Sequence, residues 1–272
     1  MIKDILLRLE DDDADGEKLS AAAEIAYLFG ARITGLFLNV LPAIVPEFGE
    51  PNPEALRLAR EGGNAIEKKL TIKLAEFGIP TPTEIRRFDV FSEEITDVLA
   101  RECRTADVYV SQAPEGNSEL RSLIEDLLFQ SPRHLLLVPK TGWTKSAISR
   151  IVIGWNESRE AARAVSEALP YLYKAGVVTT VVVADAMPVD EDALIGRDVK
   201  RHLHHHGIDA ILHHLVRKHG TVADNLIRES KRREAGLIVI GGFHHSRLRE
   251  RLLGGTTRGL LDHCPLPLLI AH

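Results

Sequence analysis

The residues best placed to do chemistry lie near the end of the chain. Between Val239 and Arg258 there are two glycine pairs, Gly241-Gly242 and Gly254-Gly255, with His244, His245, Arg247, Arg249 and Arg251 between them. Thr256, Thr257 and Arg258 follow. A glycine pair closing an apolar run lets backbone N–H groups come close to an anion. A second pair with hydroxyls, where a helix would open, offers further donors at a positive helix end. These types at this spacing suit a phosphate-bearing ligand, with Arg247 and Arg251 as charge partners. Read structurally, the same glycines make a tight turn at 241–242 and a helix break at 254–255. Asn156, just after the apolar run Ile151–Trp155, has the right chemistry to hydrogen-bond a ribose hydroxyl or an adenine edge.

Histidine is concentrated in the same half, with eleven of twelve beyond residue 200. His202 and His206 are four apart and share a helical face, the spacing used by paired metal ligands. His213 and His214 alternate on a strand, so at most one could join them. With no cysteine or carboxylate at matching spacing, the expectation is no metal site, zinc included, and a solvated helix end whose cations complement its dipole. Nothing reads as a nucleophile elbow, a metalloprotease helix or a phosphate-binding loop with its lysine. Asp262-His263-Cys264 reads as a helix end and core, and no catalytic residue is expected.

The elements that would hold these residues form a repeat with a period near half the chain. Each half opens with an apolar strand (Ile5–Leu9, Ile151–Trp155) and an Ala-rich amphipathic helix (about 17–29, 158–173). Gly30 and Gly176 sit where C-cap glycines would. Second strands (33–38, 177–183), long charged helices (53–78, 190–206) and third strands (84–88, 210–216) follow. Third helices begin at the candidate N-caps Ser92 and Thr221. Fourth strands (108–110, 237–240), a last helix and final strands (135–138, 268–270) complete each half. Strictly alternating strands and helices imply a parallel sheet covered on both faces. The fold class is therefore α/β, two tandem doubly wound domains, each with a five-stranded, mainly parallel sheet. The domains are expected at 1–140 and 150–272, with 141–149 as linker. In such a sheet the ligand crevice lies beyond the strand ends where strand order reverses, here between strands one and four.

Composition sets the outer limits. The 272 residues are 44% hydrophobic and 27% charged, typical of a globular protein. No apolar stretch approaches the ~20 residues that span a bilayer. With Cys103 and Cys264 as the only cysteines, reduced thiols in a cytoplasmic protein are expected. Residues 1–140 carry 16 Lys+Arg against 25 Asp+Glu, and the remainder 18 against 14. An anionic ligand would prefer the second half. The acidic first half and the lack of a basic-aromatic stripe argue against nucleic acid.

The segments Ile151–Ala162, Val239–Gly255 and Pro265–Ile270 resemble the universal stress proteins, and the whole chain is similar to the type in which two such domains are fused. ATP-binding members carry Gly, two residues, Gly, nine residues, Gly-Ser/Thr after strand four, and an Asp at the tip of strand one. Matched here, Gly241 and Gly254 fall on the first and third glycines. His244 replaces the second, Gly255 the hydroxyl residue and Asn156 the Asp. A one-residue shift would place Gly255-Thr256 on the Gly-Thr pair and His245 on the missing glycine. The adenine contact would map to about Val183. The resemblance thus implies an adenine nucleotide such as ATP, with Mg²⁺, in the second domain, and at most weak ATP hydrolysis. It also implies a stress-response sensor or adaptor with protein partners, and a homodimer built on an internal pseudo-dimer, since single domains commonly pair through their last strands. In the first half the corresponding loop, Ser111–Glu119, has a single glycine and a proline. Strand one ends there in Glu10-Asp11-Asp12-Asp13, which would repel phosphate. Two other readings remain open: a scaffold that binds no nucleotide, and an enzyme acting on a phosphorylated metabolite.

Overall fold

A computed structural model describes residues 1–42, 52–79, 81–186, 195–217, 219–243 and 255–272. The chain forms two compact units, Met1–Ser111 and Gln112–His272.

The first unit contains β1 (Asp4–Arg8), α1 (Ala14–Phe29), β2 (Arg32–Val40), α2 (Pro53–Glu76), β3 (Thr83–Val90), α3 (Ile95–Cys103) and β4 (Val108–Gln112). Its strands lie in the order β3-β2-β1-β4, and the β1–β2, β1–β4 and β2–β3 pairs are parallel. Of the face read from spacing, Leu19, Ala22, Ala23 and Ala26, helix α1 buries Leu19, Ala22 and Ala26, with Ile25 buried in place of the half-buried Ala23. It ends at Gly30, whose φ of 61° is the left-handed cap conformation open to glycine at little cost. Ser92 is not the N-cap of the third helix: a 3-10 turn over Ser92–Glu94 precedes α3, and the Phe91 N–H donates to Glu94 Oε2.

The second unit contains α4 (Ser118–Gln130), β5 (His134–Val138), β6 (Arg150–Gly154), α5 (Arg159–Leu172), β7 (Val177–Ala184), α6 (Arg197–His205), β8 (Ala210–Val216), α7 (Val222–Arg232), β9 (Leu237–Gly241), α8 (Thr256–His263) and β10 (Leu268–Ala271). Its strand order is β5-β10-β9-β6-β7-β8. The five strands of the second repeat thus run 3-2-1-4-5 and are all parallel. The last strand of the first repeat joins them by antiparallel pairing, Leu135 opposite Ile270 and Leu137 opposite Leu268. Helix α4 is tied to α8 in the same unit by an Arg121–Asp262 ion pair at 2.6 Å.

Chain order reverses between β6 and β9, and Gly241 is what lets α5 settle there. A Cβ on Gly241 would stand 2.4 Å from the Ala161 nitrogen and the Glu160 carbonyl carbon. Helix α5 starts at Ser158, whose Oγ accepts the Ala161 N–H at 3.0 Å, and buries Ala161, Ala164, Val165, Ala168 and Leu172. The left-handed cap expected at Gly176 does not form: α5 caps at Tyr173, and Gly176 donates its N–H to the Ser149 carbonyl. The expected start of the long helix near 190 falls outside the described residues. From Ile195 onward the helix begins at Arg197.

Candidate functional site

The crevice is framed by the carboxyl ends of β6, β7 and β9. At the tip of β6 the Trp155 N–H pairs with the Val181 carbonyl, and its indole is almost wholly buried. Asn156 is exposed, and its Oδ1 accepts the Ser158 hydroxyl at 2.7 Å and the Ser158 N–H at 3.3 Å. This fixes the Asn156 side chain by its oxygen and leaves its NH₂ as the group able to donate outward. Glu157 follows with φ 58°, a conformation a non-glycine residue holds only at some cost in strain. Val183, half-buried, lies near the end of β7 opposite Leu215.

The β9 side is more self-contained than its glycines suggest. The Gly242 N–H donates to the Ala271 carbonyl at 2.8 Å, and the Gly242 carbonyl accepts from His272 Nδ1. Phe243, at φ 55°, donates its N–H to the buried Thr257 Oγ at 3.1 Å. These two amides are therefore engaged within the protein and do not point at an open site. Helix α8 opens at Gly255 and Thr256 with no side-chain cap and no acidic residue in its first turn, an arrangement favourable to an anion. Arg258 stands beside it, 3.7 Å from Asp262. His244, Arg247 and Gly254 lie outside the described residues, as do Arg249 and Arg251.

Comparison of the repeats locates the donors that remain. Asp11 and Glu157, 146 positions apart, share one left-handed backbone conformation, at φ 59° and 58°. One residue later, Asp12 and Ser158 each accept the N–H three positions on, from Asp15 and Ala161. The loops are thus equivalent, and they differ at their key residue. In the first repeat the fully buried Asp15 carboxylate accepts the N–H groups of Glu10 (3.2 Å) and Asp11 (3.0 Å) and pairs with Lys18 (3.1 Å) and Lys73 (3.2 Å). Burial would push this carboxyl up, but the Lys18 charge and the surrounding donors hold it below the ordinary carboxylate range. In the second repeat that position is Ala161. The matching amides, of Asn156 and Glu157, have no acceptor among the described residues. The first repeat fills its anion-accepting turn with its own side chain, whereas no described residue fills the second.

Two features of the site escape pattern reading. One is this Asp15/Ala161 difference, which a direct alignment of the repeats would have exposed. The other is Trp155 Nε1, buried without a hydrogen-bond partner among the described residues, as is Thr180 Oγ on the neighbouring strand. Pairing of Ile153 with Thr180 places Trp155 and Thr180 on the same sheet face.

His202 and His206 do come together, with ring centroids 4.6 Å apart. His213 and His214 diverge: His213 Nε2 lies 3.2 Å from Glu229, while His214 Nε2 donates to the Ile195 carbonyl. Among the described residues no three His, Cys, Asp or Glu side chains converge as a metal-binding group. Both cysteines are buried free thiols, and burial pushes Cys103 up to about 12 and Cys264 up to about 11. Asp262 is taken up by its pair with Arg121.

A doubly wound repeat with its crevice at the reversal point defines a class of ligand-binding α/β proteins. Residues 147–272 match the profile of the Universal stress protein family. The match spans the second repeat, and the first half repeats the same strand order. A universal stress protein from Archaeoglobus fulgidus DSM 4304 is similar over 98% of this chain and 95% of its own, at 16% identity and a TM-score of 0.74. A functionally unknown protein from Pseudomonas aeruginosa PAO1 is similar over 99% and 92%, at 18% identity and a TM-score of 0.61. These two show the two-repeat fold. A universal stress protein in complex with cAMP covers 46% of this chain and 97% of its own, at 20% identity and a TM-score of 0.36. No curated protein matches the sequence.

Proposed function

We propose that this chain is a universal stress protein, acting as a cytoplasmic sensor or adaptor that binds an adenine nucleotide in its second repeat, while the first repeat (1–140) serves as a structural half without a ligand. The observation that carries this reading is the open pair of amides at Asn156 and Glu157, whose counterparts at Glu10 and Asp11 hold the Asp15 carboxylate. An acceptor-rich ligand supplies what Ala161 lacks. The ribose or base lies at Asn156, Trp155 and Val183. The phosphates reach the uncapped start of α8 at Gly255 and Thr256, near Gly241, with Arg247, Arg251 and His244 as further contacts. ATP with Mg²⁺ is the first ligand to try. Binding, with at most weak hydrolysis, is the expected activity.

A scaffold that binds no nucleotide is favoured by one specific observation: the Gly242 and Phe243 amides are already engaged inside the protein. Thermal unfolding with and without millimolar ATP, ADP and AMP, each with Mg²⁺, separates the two readings. A ligand at 100 times its dissociation constant stabilises by ~2.7 kcal/mol, a shift of several degrees. Nucleotide binding predicts that shift for the wild type and its loss in Gly254→Glu and in Ala161→Asp, which restores the first repeat's carboxylate. No shift with any nucleotide leaves the scaffold.

A further inference from the structure

The histidine pair ending α6 lies apart from the proposed nucleotide crevice, and its geometry points to a function of its own. We infer that His202 and His206 form a surface site for a borderline divalent transition ion of the Zn²⁺, Ni²⁺ or Cu²⁺ type. The site is oriented by Tyr173.

The pair is built by its helix. His202 lies in the last turn of α6 and His206 is the C-cap, with the His206 N–H donating to the His202 carbonyl at 3.2 Å. One helical turn therefore separates the rings, and their centroids stand 4.6 Å apart with planes inclined at 65°. Metal–nitrogen bonds of ~2.1 Å put two imidazoles on one ion with centroids roughly 4.5–5 Å apart when they bind at neighbouring positions. The rings thus already hold the separation that chelation needs. His202 is exposed and His206 half-buried, so an ion reaches them directly from solvent.

Two surroundings favour a cation there. The Tyr173 hydroxyl, at the C-cap of α5, lies 3.1 Å from His206 Nδ1. With Nδ1–H donating to that oxygen, the lone pair of Nε2 is left for the metal, the outer-shell arrangement that fixes tautomer and ring orientation in histidine metal sites. The ion would also sit at the negative end of the α6 dipole. Asp198, one turn before His202, adds a negative charge on the same stripe of the helix, while Lys200 and Arg201 lie on other positions of the turn. With two protein ligands, water completes the coordination, so the site is weaker than a structural zinc centre and open to exchange.

Isothermal titration of the full-length protein with ZnCl₂ alone tests the site, alongside His202→Ala, His206→Ala, His204→Ala and Tyr173→Phe. One equivalent of zinc is expected for the wild type and for His204→Ala. Affinity should fall at least tenfold in His202→Ala and in His206→Ala. It should fall about tenfold in Tyr173→Phe, which keeps both ligands but loses the orienting hydroxyl. Unchanged unfolding temperatures of the metal-free variants would show that the losses are not failures of folding. A wild type that takes up no zinc, or a His202→Ala protein that binds as tightly as wild type, overturns the inference.

Discussion

Replacing Asp15 by alanine should destabilise the protein severely at neutral pH and much less in acid. The carboxylate is fully buried, and it accepts two backbone N–H groups at 3.2 and 3.0 Å. It also pairs with Lys18, whose side chain is only 5% exposed, and with Lys73. Alanine would leave the Lys18 ammonium buried, still held by the Arg8 carbonyl at 2.7 Å but without its counter-charge. Removing one partner of a buried pair costs ~3–5 kcal/mol. That is a large part of the roughly 5–15 kcal/mol that holds a domain folded. The folded-state carboxyl is held below its ordinary value, so its contribution is fully present above the unfolded pKa of about 3.9. It is lost as pH falls through the folded value. Urea unfolding of wild type and Asp15→Ala, followed by circular dichroism between pH 7 and pH 2, should show a gap of that size at pH 7 that narrows in acid. Formate, which can enter the vacated position, should recover part of it at neutral pH. A gap under about 1 kcal/mol at pH 7 would refute the reasoning. So would a gap of constant size down to pH 2, because the loss would then be one of packing and not of charge.

Gly241→Ala tests whether this glycine serves packing: its Cβ would stand 2.4 Å from the Ala161 nitrogen, and overpacking of this kind costs ~1–3 kcal/mol. Chemical denaturation without ligand should show that loss, and a neutral result would return Gly241 to a purely ligand-facing role. Trp155→Phe removes the indole N–H, which has no partner among the described residues. It should weaken nucleotide binding about fivefold, from one hydrogen bond worth ~1 kcal/mol, and leave tripolyphosphate binding unchanged. Equal nucleotide affinity in the two proteins would place the base elsewhere.

Much of the fold was legible because alternation of short apolar runs with Ala-rich amphipathic helices fixes element type. The run Leu237–Ile240 is buried at every residue and could only be a central strand. The Thr221 cap was likewise readable, since its Oγ accepts the Asp224 N–H as its residue type predicts. Gly176 and Ser92 were misjudged because capping depends on the backbone angles of the last turn, which residue identity only biases. At the site, the glycines drew attention to phosphate, but the structure gives Gly241 a steric role and engages Gly242 in the sheet. Those roles depend on what packs opposite, and α5 is some 80 residues away in the chain. The pairing of β5 with β10 is equally remote from any local pattern.

The repeats therefore differ in where the demand for a partner is met. The first unit satisfies the turn after β1 internally, through hydrogen bonds from the Glu10 and Asp11 N–H groups to the Asp15 carboxylate. The second keeps the same left-handed turn at Glu157 but has alanine at the matching position, and its two amides find no acceptor among the described residues. A ligand that binds only the folded form adds to stability in proportion to the logarithm of its concentration. On the proposed binding, the turn at Glu157 couples the folding equilibrium of the second unit to ligand concentration, while the Asp15 turn needs no ligand. On that reading, one repeat is held by its own carboxylate and the other responds to its ligand. Moving a single carboxylate between positions 15 and 161 should move that responsiveness with it.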